Sequence, residues 1–141
     1  MATVSVKDEF EASVDVIWEL ISDFTDISAW APQGEITQVE GEGIGAVRRV
    51  EAAGMGGVFR ERCEGHDPAA RRFSYSVLES PVPMTDYVAV VTLSDLGPGR
   101  CGIEWACKFE PEGAPEADLV QGIEATYAAF IGSIKQTLSQ S

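Results

Sequence analysis

Two residues in this chain have types and spacing that could do chemistry together, Arg48 and Glu61. In the segment GVFRERCEGH, alternation sets Phe59, Glu61 and Cys63 on one face of a strand and Arg60, Arg62 and Glu64 on the other. The uncharged members carry Glu61 inward. In GAVRRVE, Ala46, Arg48 and Val50 go together, leaving Arg49 and Glu51 opposite. On neighbouring strands a carboxylate and a guanidinium would then face one interior, where an unpartnered charge is costly and the two should pair or be solvated. Such a pair could serve a site, with Glu61 as general acid or base and Arg48 or a tyrosine stabilising an enolate oxygen. It could equally do no more than stitch two strands together.

The same alternation groups Phe73 and Tyr75 with Val77, Tyr87 and Ala89 with Val91 and Leu93, and Trp105, Cys107 and Phe109 with Ile103. Tyr and Trp give broad apolar walls with one hydrogen-bonding tip, which suits a flat, mostly apolar ligand carrying a few oxygens. Trp30, just before Pro32, would line the mouth of such a site or plug it. Other motifs do not hold. GEGIGA, Gly41 to Ala46, matches a dinucleotide fingerprint in letters, but a strand rather than a helix follows it. GMGG, Gly54 to Gly57, lacks the Lys-Ser/Thr of a phosphate loop and reads as a hairpin tip that could gate entry. His66 is the sole histidine and is expected to face outward, so neither a histidine-dependent triad nor a multi-histidine metal site is expected. Cys63 has no neighbour that would activate it. No metal and no cofactor is expected.

What must position these residues is a strand-rich chain closed by one long helix. Val120, Ile123, Tyr127, Phe130, Ile131, Ile134 and Leu138 recur at steps of three and four between Pro115 and Leu138. Pro115 suits a first turn, and Glu116 and Asp118 suit the positive end of the helix dipole. At the other end, Val4, Val6 and Phe10 alternate with polar residues as a first strand. Ser13 then caps a short helix carrying Val14, Ile17, Trp18 and Ile21, and FTDISAW continues as a second short helix before Pro32. Strands are expected near 35–40, 45–52, 57–66, 71–79, 86–95 and 101–109.

About seven sequential antiparallel strands in so short a chain must curl. A helix laid in the concave side cannot fill it unless the inward side chains are large, and Ala46 and Ala89 are small. A pocket is therefore expected between sheet and helix. Val120, Tyr127 and Ile131 would face it, Ile134 and Leu138 would anchor the helix, and Glu124 would sit at the rim. Gly122 and Gly132 would permit close packing or let the helix shift.

Composition narrows the functional classes. The 141 residues fit one domain, 1–141, and carry 23 acidic against 10 basic groups, a net charge of −13. That charge repels phosphate backbones and anionic lipid surfaces, which argues against a nucleic-acid partner. The first residues lack the apolar run of a signal peptide and no later run could span a bilayer, so membrane insertion is not expected. Three cysteines without metal-ligand spacing suggest a reduced, cytoplasmic setting. A homodimer is left open.

The element order, with VDVIWELISDF, GIGAVRRV, FRERCEGHDPAARRFSYSV, TDYVAVVTL and IEWACKFEP, resembles the SRPBCC superfamily (START-like, birch-pollen-allergen-like), in particular its bacterial polyketide cyclase/dehydrase-like branch. The resemblance implies an α+β helix-grip fold: a curved antiparallel sheet of about seven strands around a long C-terminal helix, with two short helices after strand 1 closing one end of a deep hydrophobic cavity. It also implies that positions similar to Arg48, Glu61, Tyr75, Tyr87, Trp105 and Phe109 line that cavity. Three functions are then in view. The first is binding of a small hydrophobic molecule such as a lipid, polyketide or aromatic metabolite; the second is cyclase or dehydratase chemistry through Glu61 and Arg48; the third is a protein-interaction module using the acidic surface.

Overall fold

The computed structural model describes residues 1–52 and 57–140. The chain opens with β1 (Ala2–Phe10) and α1 (Val14–Ile21) and continues through β2 (Gly34–Glu40), β3 (Val47–Ala52), β4 (Gly57–Asp67), β5 (Arg72–Glu79), β6 (Met84–Asp95) and β7 (Cys101–Pro111) to α2 (Glu116–Ser139). The seven strands form one curved antiparallel sheet in the order β1-β7-β6-β5-β4-β3-β2, wrapped around α2. Strands β2 to β7 follow one another as hairpins. Only β1 breaks the sequence, pairing with β7 from Ala2 opposite Phe109 to Phe10 opposite Cys101.

α1 forms where its cap is written. Ser13 Oγ accepts from Val16 N at 3.3 Å, Asp15 lies in the first turn, and Ile17, Trp18 and Ile21 are buried. The second short helix is absent. Residues 22–33 instead make successive turns, because Asp23 Oδ1 accepts from both Thr25 N and Thr25 Oγ1, and Asp26 Oδ1 from both Ser28 N and Ser28 Oγ. Short polar side chains that bond their own backbone two residues on compete with helical hydrogen bonds, and here they win. The segment folds back over the interior and buries Ile27 and Trp30.

α2 buries Leu119, Tyr127, Ile131 and Ile134. Its first turn thus faces inward through Leu119, one residue before the expected Val120, which is only partly buried. The helix lies over the β1 and β7 side of the sheet. Lys135 Nζ donates to Asp8 Oδ2 of β1 at 2.9 Å, and Thr137 Oγ1 donates to the Ala29 carbonyl at 3.2 Å. Trp105, Phe109, Tyr127 and Ile131, among the largest buried side chains, lie on that side. Gly122 and Gly132 do not provide close packing: a Cβ at either would meet no atom within 4 Å.

Candidate ligand-binding cavity

Where α2 leaves the sheet uncovered, a cavity of about 360 Å³ remains between the helix and strands β3 to β6. Its sheet wall is Val50 and Ala52 of β3, Phe59 and Glu61 of β4, Tyr75 and Val77 of β5, and Met84 and Tyr87 of β6. Ile123, Thr126, Tyr127, Phe130 and Ser133 of α2 close the opposite side, and Ile27, Trp30 and Gln33 of the turn segment close one end. The walls are mostly aliphatic and aromatic, and Glu61 is the one carboxylic acid among the described lining residues.

A bulge sets one part of this wall. In the β6–β7 pairing Thr85 stands opposite Glu110 and Val88 opposite Lys108, so Asp86 and Tyr87 together face the single residue Phe109. Asp86 takes φ +54°, a left-handed conformation that few side chains tolerate and Asp tolerates better than most. The extra residue lets Met84 and Tyr87, three apart, both point inward, which strict alternation forbids.

Arg48 and Glu61 stand opposite each other in the β3–β4 register. Arg48 Nε donates to Glu61 Oε1 at 2.8 Å, and Arg48 Nη1 donates to the Phe24 carbonyl at 2.9 Å. The guanidinium carbon lies 4.2 Å from the Phe24 ring centroid and 5.2 Å from that of Tyr75. Arg48 is 2% exposed and does not reach the cavity wall, whereas Glu61, its side chain 14% exposed, does. Glu61 Oε2 has no hydrogen-bond donor among the described residues. Arg48 therefore acts from behind, tying β3, β4 and the turn segment into one unit.

Three phenols complete the polar end. Trp105 Nε1 donates to Tyr75 Oη at 3.3 Å, and the hydroxyls of Tyr87 and Tyr127 are hydrogen-bonded to each other. Burial pushes all three phenols well above their ordinary value, with the charge of Glu61 adding to the effect at Tyr75. They are uncharged hydrogen-bonding groups at any physiological pH. Burial likewise pushes up the thiols of Cys63, Cys101 and Cys107, so none offers a thiolate nucleophile. Among the described residues no cluster of His, Cys, Asp or Glu is placed to hold a metal, and no helix is long and apolar enough to cross a membrane.

Of the expected site residues, Trp30, Phe59, Glu61, Tyr75, Tyr87 and Tyr127 meet at the cavity. Others lie one layer behind it. Trp105 packs on Trp30 in a tilted arrangement with centroids 5.0 Å apart, Phe109 backs Tyr87 at 6.4 Å, and Ile131 is buried against the core. Four more lie elsewhere: Phe73 packs on Trp18 of α1 at 6.1 Å, Cys63 and Ala89 are buried off the cavity, and Val120 does not line it. Phe73 is covered by α1 through Trp18, and Val120 yields its inward place to Leu119. Glu124 is exposed and away from the lining, where Thr126 stands instead. Ala46 and Ala89, the small residues expected to leave space, do not border it. His66 is exposed, its ring 5.5 Å from that of Trp18. The GMGG tip falls at residues 54–57, of which 54–56 lie outside the described residues.

Sequence reasoning missed several lining residues. Val50 and Val77 were open to it, since each shares a face with an expected site residue. Met84 was hidden by the bulge, Ile27 by a segment that reads as helix, and Gln33 by its place in the loop after Pro32.

The family model described as polyketide cyclase/dehydrase and lipid transport matches residues 1–139. No curated protein matches the chain. Among solved structures, the protein XoxI from Bacillus cereus has a TM-score of 0.86 at 22% identity, covering 97% of this chain and 95% of its own. A Thermobifida fusca protein solved by NMR has a TM-score of 0.83 at 26% identity, covering 99% and 95%. Norcoclaurine synthase from Thalictrum flavum, solved in complex with dopamine and hydroxybenzaldehyde, has a TM-score of 0.74 at 16% identity, covering 99% and 87%.

Proposed function

The chain belongs to the polyketide cyclase/dehydrase and lipid transport family, and on that premise we propose that it binds a small, largely hydrophobic molecule in the cavity between its sheet and α2. The observation that carries this reading is a cavity of about 360 Å³ with mostly aliphatic and aromatic walls and a few polar groups, Glu61 the one charged residue among them. That volume is at the small end of the roughly 300–1,000 Å³ range of ligand pockets. It fits a compact ring system or a short chain. Of the similar folds, norcoclaurine synthase holds molecules of that size.

The test is a fluorescence titration with the uncharged dye N-phenyl-1-naphthylamine, using a Trp18→Phe variant so that emission comes from Trp30 at the wall and Trp105 behind it. Saturable binding with one dye per chain is expected. Val77→Trp, which fills the cavity, should abolish it. Absence of saturable binding, or binding indifferent to Val77→Trp, would overturn the reading.

One observation favours a second reading, catalysis of the cyclase or dehydratase kind: the Glu61 carboxylate stands at the wall beside the protonated phenol of Tyr75. In this reading Glu61 takes a proton from a carbon next to a carbonyl while Tyr75, not the recessed Arg48, donates a hydrogen bond to the developing enolate oxygen. Turnover of a true substrate undiminished by Glu61→Gln would refute it.

A further inference from the structure

We infer that the polar end of the cavity recognises an uncharged hydroxyl group on an otherwise apolar ligand and rejects a carboxylate in the same place. This rests on the binding reading and adds the chemistry of the group bound.

The inference follows from which polar atoms reach the wall. Glu61 Oε1 is occupied by Arg48 Nε, and Oε2 remains as an acceptor for the ligand. Tyr75 Oη acts as acceptor toward Trp105 Nε1 and the Tyr87 hydroxyl, which leaves its own proton for a ligand. At this part of the wall the groups are one charged acceptor and a neutral donor, with the buried, unpartnered Trp30 Nε1 as a further donor on the lining and Gln33, Thr126 and Ser133 as its other polar residues. A hydroxyl matches both at once, donating to Glu61 and accepting from Tyr75.

A carboxylate does not. The guanidinium that would attract it is recessed: Arg48 is 2% exposed and absent from the wall, Nε and Nη1 are held by Glu61 and the Phe24 carbonyl, and the unpartnered Nη2 is itself buried behind the wall. An entering anion meets the carboxylate of Glu61 first, in a site where water screens little. An ammonium group also fits poorly. It carries donors only, which leaves the Tyr75 proton facing another donor, and the charge of Glu61 is already offset by Arg48.

A matched series tests this: 2-naphthol, 2-naphthoic acid, 2-naphthylmethylamine and naphthalene, each competing with N-phenyl-1-naphthylamine at neutral pH. In the native chain 2-naphthol should bind tightest, at least about tenfold better than the naphthoate. Glu61→Gln, whose side-chain amide is uncharged and can donate, should bring the naphthoate to within a few-fold of the naphthol. Tyr75→Phe, a smaller change to the fold, should reduce the advantage of naphthol over naphthalene several-fold. Naphthoate or the amine binding as well as naphthol, with the dye still bound and displaced, overturns this inference and leaves the binding reading standing. Failure of the dye itself to bind overturns both.

Discussion

Arg48→Met isolates the most consequential polar contact in the molecule. The substitution keeps most of the side-chain volume, so packing against Phe24 and Tyr75 changes little. What it removes is the donor to Glu61 and the donor to the Phe24 carbonyl. Breaking a buried pair by deleting one partner costs about 3–5 kcal/mol, because the other charge is left without compensation. Glu61 retains some access to the cavity, its side chain being 14% exposed, so the low end applies. A loss of about 3 kcal/mol is a large part of the roughly 5–15 kcal/mol that holds a domain together. It should lower the melting temperature by roughly 6–12 °C in a chain of this size. Urea unfolding followed by circular dichroism reads it directly, as a lower midpoint at unchanged slope. Arg48→Met with Glu61→Leu should recover most of the loss, since no charge is then left buried. A single-variant loss below about 1 kcal/mol, within the range of an exposed ion pair, would refute the reasoning. So would a double variant no more stable than the single one.

Two further outcomes follow from the same structure. Gly122→Ala and Gly132→Ala should each stabilise the chain by up to about 1 kcal/mol, and additively, because both sites are in α2 and an added Cβ meets no atom within 4 Å; chemical denaturation of the single and double variants checks this, and a loss of stability would show that the helix needs their freedom. All three tyrosines of the chain sit in the buried polar end with raised values. Above about pH 10 the unfolded chain therefore sheds protons that the folded chain keeps, so stability should fall as pH rises, by about 1.4 kcal/mol per pH unit for each tyrosine. Tyrosinate absorbance should then appear in step with loss of circular dichroism; its appearance at the ordinary phenol value in a folded chain would contradict the burial of these hydroxyls.

What could be read from the residues and what could not divides along a physical line. Alternation within a strand is local, so the face shared by Phe59, Glu61 and Cys63 and the pairing of Arg48 with Glu61 across one hairpin were legible. The helix period of α2 was legible for the same reason, apart from its first turn. The turns of residues 22–33 were not, because Asp23 and Asp26 give no sign in a hydrophobic pattern that their carboxylates will capture the backbone. The bulge at Asp86 was not, since nothing before the strands pair marks the extra residue. The lateral position of α2 was also hidden, being decided by contacts far apart in sequence, such as Lys135 with Asp8 and Thr137 with Ala29. This last gap explains why Trp105 falls behind the cavity rather than at it.

The location of the cavity is a matter of side-chain size. Interiors pack at crystal-like density, so space persists only where facing residues are too short to meet. On the β7 side Trp105 meets Tyr127 and Phe130 of α2, with ring centroids 5.7 and 5.1 Å away. Toward β3 and β5 the sheet presents Val50, Ala52 and Val77, and the helix presents Thr126, Ala129 and Ser133. Neither wall can reach the other there. Collapse is opposed by the aromatic contacts that hold α2 at a fixed distance on one side, and by the turn segment that Arg48 and Trp30 pin at the end. The cavity is thus a product of the same ring stack that stabilises the core. Enlarging Val77 should erase the cavity without disturbing that stack, whereas truncating Trp105 should let the helix sink and close the cavity from the other side.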